Sequence, residues 1–332
     1  MQRPDAFRSQ SRGSHLRLTL CLMSFMILVA MGVGLAQDEL PGPIAPHLKA
    51  TSSIVPSLRA RTDLVLVPVT VLDSRQRIVN GLQRENFSLL DNSSSQNIKY
   101  FSHEDSPLSL TVILDASGSM ATKIDEARQA VVELLKTSNE KDEFGLVAFG
   151  SKPRVAVNFT GAADEVVTTA TSIQPDGFTS LWDGMYLGLL QQKKASHARR
   201  AIVVISDGGD NHSRYSEDEI KSVLEEADVQ VYAIGIFDRF LKTPEERNGP
   251  LRLDEITSVA GGRMIEVHDP ADIQRAAREI SLELRNQYVL GYHPTNRTPD
   301  GKWRKIKVQV KDAPARTKLR IYARSGYYGP VE

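Results

Sequence analysis

The sequence predicts an α/β protein: a doubly wound, mostly parallel sheet with extra β-strands before and after it. Three observations carry this. From Pro107 to Asn286, short apolar runs rich in β-branched residues alternate with stretches of helical periodicity, as in a sheet whose strands are joined by crossover helices. On both flanks, residues 62–106 and 287–332, the apolar spacing shifts to every second residue, the pattern of half-buried antiparallel strands. Each flank holds only three or four such runs, too few to bury two faces alone, so each needs a partner surface.

Taken in order, residues 1–17 carry four arginines and no lysine, and Leu18 to Ala36 carry no charge. A basic leader, an apolar core and the small-residue ending Gly34-Leu35-Ala36 read as a signal peptide, residues 1–36, cleaved before Gln37. An uncleaved signal anchor is the alternative, and it would be the chain's only hold on a membrane. The expected location is secreted, periplasmic or cell-envelope. Cys21 is the sole cysteine and opens the apolar core, where a lipidation cysteine would end it, so disulfide and thiol chemistry are excluded from the mature chain. With 41 basic and 41 acidic residues in 332, no global charge points to nucleic acid.

Residues 37–61 form a linker, in which Pro41, Pro43, Pro46 and Pro56 prevent regular structure. Residues 62–106 then hold at most four antiparallel strands. In 107–286 the pattern predicts strand Leu108–Leu114, helix Lys123–Leu135, a hairpin across Ser151-Lys152-Pro153, helices Ala163–Ser172 and Leu181–Gln192, and strand Ala201–Ser206. Helix Glu217–Glu226, strand Gln230–Ile236, a polar excursion 238–250, helix Leu253–Ala260, strand Arg263–Val267 and helix Ala271–Arg285 complete it. Three strands follow in 287–332. The two flanks are expected to form one small β-sandwich into which the α/β domain is inserted, or else two separate appendages flanking it.

The chemistry concentrates after Leu108–Leu114, where a run buried on both faces stops at Asp115-Ala116-Ser117-Gly118-Ser119. Such a loop lies at the carboxyl edge of the sheet, where open α/β folds place ligand sites. One carboxylate and two hydroxyls at alternate positions, with Gly118 allowing a tight turn, make an all-oxygen half-cage suited to a hard divalent cation.

This D-x-S-x-S after a buried strand resembles the metal-ion-dependent adhesion site (MIDAS) of von Willebrand factor type A (VWA) domains. The resemblance implies a Rossmann-like doubly wound domain and two further ligands, a threonine and an aspartate from later loops. Thr179 in DGFTSLWDG and Asp207 in AIVVISDGGDN match them. VTVLDSRQRIVNGLQRENFSLLD, the strand-and-loop DSPLSLTVILDASGSM, LRNQYVLGYHPTNRTPDGKWRKIKVQV and RSGYYGP further resemble the VWA-related proteins described from acidobacteria.

The implied metal set is Asp115, Ser117, Ser119, Thr179 and Asp207. In the family the first aspartate acts mainly through bound water while the serines ligate directly. Neutral hydroxyls leave the cation electrophilic, so it can take a carboxylate from a protein partner. Small ligands on rigid strand ends favour magnesium, with manganese or calcium as alternatives. Competing structural roles are helix capping by Asp115 and Ser117, or by Thr179 and better by Ser180. Asp183, Asp210 and Asn211 are expected beside the site as supporting or capping groups, and Met120 in the core.

No G-x-S-x-G elbow, phosphate loop or dinucleotide fingerprint occurs, and the seven histidines show no zinc spacing. The sequence therefore predicts a binding protein rather than an enzyme. A metal-dependent hydrolase at the same site is the alternative, and a cytoplasmic ATPase adaptor is opposed by the signal segment.

Overall fold

The computed structural model describes residues 64–238, 244–311 and 318–331. The expected signal segment 1–36 and the expected linker 37–61 lie outside the described residues. Strands β1 (Val65–Leu72), β2 (Phe87–Asp91), β3 (Ser94–Gln96) and β4 (Ile98–Ser102) come first. Asn92 and Ser93, both at positive φ, make the two-residue turn between β2 and β3.

The α/β region runs β5 (Leu108–Asp115), α1 (Ile124–Leu135), β6 (Glu143–Phe149), β7 (Arg154–Thr160), α2 (Ala163–Ser172), α3 (Leu181–Gln192) and β8 (Arg199–Ser206). It continues with α4 (Glu217–Glu226), β9 (Gln230–Ile236), α5 (Pro244–Val259), β10 (Met264–Val267) and α6 (Ile273–Arg285). Four strands close the chain: β11 (Tyr288–Tyr292), β12 (Trp303–Val310), β13 (Arg320–Ala323) and β14 (Gly326–Tyr328).

The central sheet has the order β10-β9-β8-β5-β6-β7, parallel except for the hairpin strand β7. All eight residues of β5 are buried, because β6 and β8 flank it and helices cover both faces. On one face α1, α2 and α6 pack through Val131, Leu134, Val166 and Ile280 against Val112 and Leu114; on the other, α3, α4 and α5 pack through Met185, Leu224 and Ile256 against Ile113 and Val204. The chain leaves β5 for β6 on one side and reaches β8 on the other, so the carboxyl ends of β5 and β8 border the crevice where strand order reverses.

The flanking strands form two four-stranded antiparallel sheets, β13-β1-β11-β4 and β14-β12-β2-β3. Each draws on both ends of the chain, and they share a core that includes Val67, Val69, Leu89, Tyr288, Leu290 and Ile306. The expected sandwich, rather than two appendages, is what forms. The last expected strand is two: the chain breaks at Arg324-Ser325, so that β13 pairs with β1 and β14 with β12 in the opposite sheet. A second difference concerns α5, which starts at Pro244, inside the segment expected to be a polar excursion. Proline at a helix start needs no amide partner, so Pro244 is compatible with initiation there.

Candidate functional site

Three loops meet at the carboxyl edge. The β5 loop and the α2–α3 loop are joined through their backbones: Asp176 N donates to Ala116 O at 2.9 Å and Gly118 N to Gly177 O at 3.0 Å. Gly177 has φ +77°, a left-handed conformation that suits glycine, and a Cβ there would lie 2.1 Å from Ser151 Oγ. The α2–α3 and β8 loops are joined in turn, since Asn211 N and His212 N both donate to Thr179 O at 3.0 and 2.9 Å. Thr179 N donates to Asn211 Oδ1 at 2.9 Å.

Inside this frame Asp115 is fully buried. Its Oδ1 accepts from Ser117 N at 2.9 Å and its Oδ2 from the Ser206 hydroxyl at 2.6 Å. Ser117 is buried and its hydroxyl lies 3.1 Å from that of Ser119, which is exposed. Asp207 is buried; its Oδ1 accepts from Gly209 N at 3.1 Å and its Oδ2 from Lys123 Nζ at 3.1 Å. A Cβ placed on Gly209 would lie 3.2 Å from Asp207 Oδ1 and 4.0 Å from Thr179 Cγ2, so these two side chains meet around a glycine that leaves room between them. The five residues singled out in the sequence therefore lie at one place, passing from buried carboxylates to a hydroxyl at the surface.

Burial, and then the neighbouring Asp207 carboxylate, push the Asp115 carboxyl up to about 7. Burial works against the charged form of Lys123, but Asp207 at 3.1 Å and Asp238 at 3.4 Å outweigh it and hold its pKa above the usual lysine value. Burial also raises the Asp210 carboxyl. Of the two buried carboxylates only Asp207 has an ammonium partner, which leaves Asp115 without a cation among the described residues, an arrangement that an oxygen-coordinated metal ion would relieve. Among the described residues no group of three or more His, Cys, Asp or Glu side chains could hold a metal, so the donor set here is two carboxylates and the hydroxyls of Ser117, Ser119 and Thr179. That set fits a hard divalent ion and does not suit zinc.

The competing capping roles are not used. α1 starts after Lys123 with no side-chain cap, so neither Asp115 nor Ser117 caps it. Ser180 occupies the cap position of α3, yet its hydroxyl donates to Gly150 O at 2.5 Å; the cap comes instead from Asp210, whose Oδ1 accepts from Leu181 N at 2.9 Å. Asp183 holds the β8 loop by accepting from Arg214 N and Tyr215 N at 2.9 and 3.2 Å. Met120 is buried in the core. Sequence reasoning missed Lys123 and Ser206. For Ser206 a signal existed, a lone hydroxyl closing the apolar run AIVVIS; Lys123 looked like an ordinary solvated residue at a helix start.

The rim is partly apolar. Phe178, beside Thr179, is 60% exposed and stacks on His212 with ring centroids 5.0 Å apart. Leu251, also 60% exposed, lies two residues beyond Gly249, whose backbone packs against Gly208 so closely that a Cβ on Gly208 would lie 2.5 Å from Gly249 O.

A sequence model of the von Willebrand factor type A domain matches residues 110–209, the stretch that holds Asp115, Ser117, Ser119, Thr179 and Asp207. The chain carries a VWA domain. It is 30% identical over 129 residues to inter-alpha-trypsin inhibitor heavy chain H4 of Bos taurus, covering 33% of this chain and 14% of that protein. It is 27% identical over 198 residues to an uncharacterized protein of Borreliella burgdorferi, covering 52% of this chain and 57% of the other. The chain thus spans about one-seventh of the first relative and just over half of the second. Among solved structures, a von Willebrand factor type A protein from Catenulispora acidiphila superposes with a TM-score of 0.47 at 12% identity, over 78% of this chain and 73% of that one.

Proposed function

We propose that this VWA domain is a metal-dependent binding module of the secreted or envelope-associated kind, using Asp115, Ser117, Ser119, Thr179 and Asp207 as an adhesion site for an acidic residue of a protein partner. The observation that carries the reading is the buried Asp115–Asp207 pair, held together by three cross-linked loops and opening to the surface through the hydroxyl of Ser119. When bound, magnesium, or manganese or calcium in its place, would supply a Lewis-acidic position for the partner's carboxylate. The chain's own part is positional. Asp115 is fixed by Ser117 N and Ser206, and Thr179 by Asn211, so the oxygens are arranged before any ligand arrives. Phe178 and Leu251 then favour an acidic residue with an apolar neighbour.

The test is direct. Magnesium should bind the wild-type protein in calorimetry, and a panel of Asp- and Glu-containing peptides should bind in magnesium and dissociate in EDTA. Asp115→Ala should lose both by at least about a hundredfold while keeping the far-ultraviolet dichroism of the folded protein, since it removes one of two facing carboxylates at the very end of a strand whose backbone pairing does not use the side chain. Peptide affinity indifferent to EDTA or to that substitution would sink the reading. Turnover of phosphate esters, absent in a binding module, would favour the hydrolase instead.

A further inference from the structure

Lys123 is out of place for a lysine. It stands at the start of α1 with its side chain 9% exposed, and its ammonium is directed not to solvent but to Asp207 Oδ2 at 3.1 Å and Asp238 Oδ2 at 3.4 Å. Asp207 is 3% exposed as a side chain, whereas Asp238 is 56% exposed and screened by water, so the effective pairing is with Asp207. A positive charge beside a cation-binding site weakens cation binding, and its presence calls for a reason.

We propose that Lys123 is a built-in counter-cation that lowers metal affinity in exchange for a stronger hold on acidic partners. The inference rests on the adhesion-site reading above. With Asp115 ionised, as when metal binds, the charge count is simple: buried Asp115 and Asp207 against Lys123 leave the metal-free site at minus one. A divalent cation brings it to plus one. Without the lysine the corresponding values are minus two and zero. The loaded site would then be neutral, and an approaching carboxylate would meet a metal whose charge is already cancelled by its own ligands. With Lys123 the excess is positive at the moment a partner docks. The same residue stabilises the metal-free site, because Asp207 keeps a buried partner when no ion is present.

Lys123→Gln keeps a hydrogen-bond donor and removes the charge; Lys123→Arg keeps the charge. For Lys123→Gln we expect magnesium to bind about tenfold tighter than in wild type, the direction set by removing a positive charge beside a divalent ion. Acetate, used as the carboxylate probe on the magnesium-saturated protein, should bind about tenfold weaker. Lys123→Arg should stay within about threefold of wild type in both. The magnesium-induced rise in melting temperature over EDTA gives the same answer if the variant is unstable without metal, and should be larger in Lys123→Gln. A residue with a merely structural role would weaken magnesium binding when replaced, so equal or weaker affinity in Lys123→Gln, or an equal or smaller melting shift, overturns the proposal. Absence of magnesium binding in wild type would overturn the adhesion-site reading itself.

Discussion

The two edges of the central sheet both bury charge, and they do it in opposite ways. At the carboxyl edge Asp207 has one ammonium, Lys123, and the neighbouring buried Asp115 has none among the described residues. At the amino edge, where the sheet joins the sandwich, the charges are matched. Arg263 Nε donates to both Glu283 oxygens at 2.9 and 3.2 Å, Arg263 also pairs at 3.2 Å with Glu279, which Arg275 meets in turn at 2.9 Å, and the Arg263 guanidinium lies 5.9 Å from the Tyr322 ring of β13. Arg285 bonds to Asp142, which also accepts from Leu108 N and Asn139 N at 2.9 and 2.7 Å. A buried network of Gln287, Tyr232 and Thr70, with contacts of 3.1 to 3.4 Å, crosses from α/β domain to sandwich. Matched charge locks one part of a protein to another, while unmatched charge of one sign is an incomplete site. The difference assigns fixing to one edge and binding to the other.

The largest effect should come from breaking the matched edge. Arg263→Met leaves Glu283, 2% exposed, without its buried partner, and such losses cost about 3–5 kcal/mol. Urea unfolding should show that loss while magnesium affinity stays within about twofold, because no site residue depends on Arg263. Should the substitution leave stability unchanged, or move magnesium affinity tenfold, the two edges would not be separable in this way.

What was legible beforehand follows the same division. The fold was legible because its signals are local: Leu108–Leu114 is continuously apolar, β2 and β12 alternate, and each run stops at turn residues. Asp115, Thr179 and Asp207 could be picked out because each follows or opens a recognisable element, and a family pattern supplied their order. Lys123 could not, since its burial depends on carboxylates from two later loops, one of them 84 residues away. The capping of α3 was open between Ser180 and the rim residues expected as capping groups, and Asp210 performs it from the β8 loop. The division of the last strand at Arg324-Ser325 escaped notice because alternation runs through it; pairing with different sheets, not side-chain pattern, separates the pieces.

The unmatched edge should also show itself in pH dependence. In the metal-free protein the Asp115 carboxyl lies at about 7, raised first by burial and then by Asp207, with Lys123 and Asp238 the other charges at hand. An acid raised on folding disfavours the folded state once ionised. In EDTA the Asp115 contribution is therefore neutral below about pH 4, where both states hold the proton, and grows unfavourable as pH rises to about 7. Magnesium affinity should run the other way, rising with pH and levelling above about 7, as binding no longer has to expel a proton. Melting curves in EDTA from pH 5 to 8 should decline more steeply for wild type than for Asp115→Asn. Parallel curves would mean that Asp115 is already ionised throughout and that the edge is not short of positive charge.

The smallest effect belongs to the rim, and it separates recognition from metal holding. Phe178 is 60% exposed and, among the described residues, its one ring contact is with His212, so Phe178→Ala removes surface that contributes little to the core. The α2–α3 loop is held by backbone bonds at Gly177 and Thr179 that do not involve the ring. Magnesium affinity should consequently stay within about twofold, while binding of an acidic peptide with an adjacent apolar residue weakens about three- to tenfold, the range for losing an exposed aromatic contact at an interface. An acidic peptide lacking the apolar residue should lose less. Equal losses for both peptides would show the ring acting through loop geometry, and the apolar preference assigned to the partner would fall while the carboxylate preference stood.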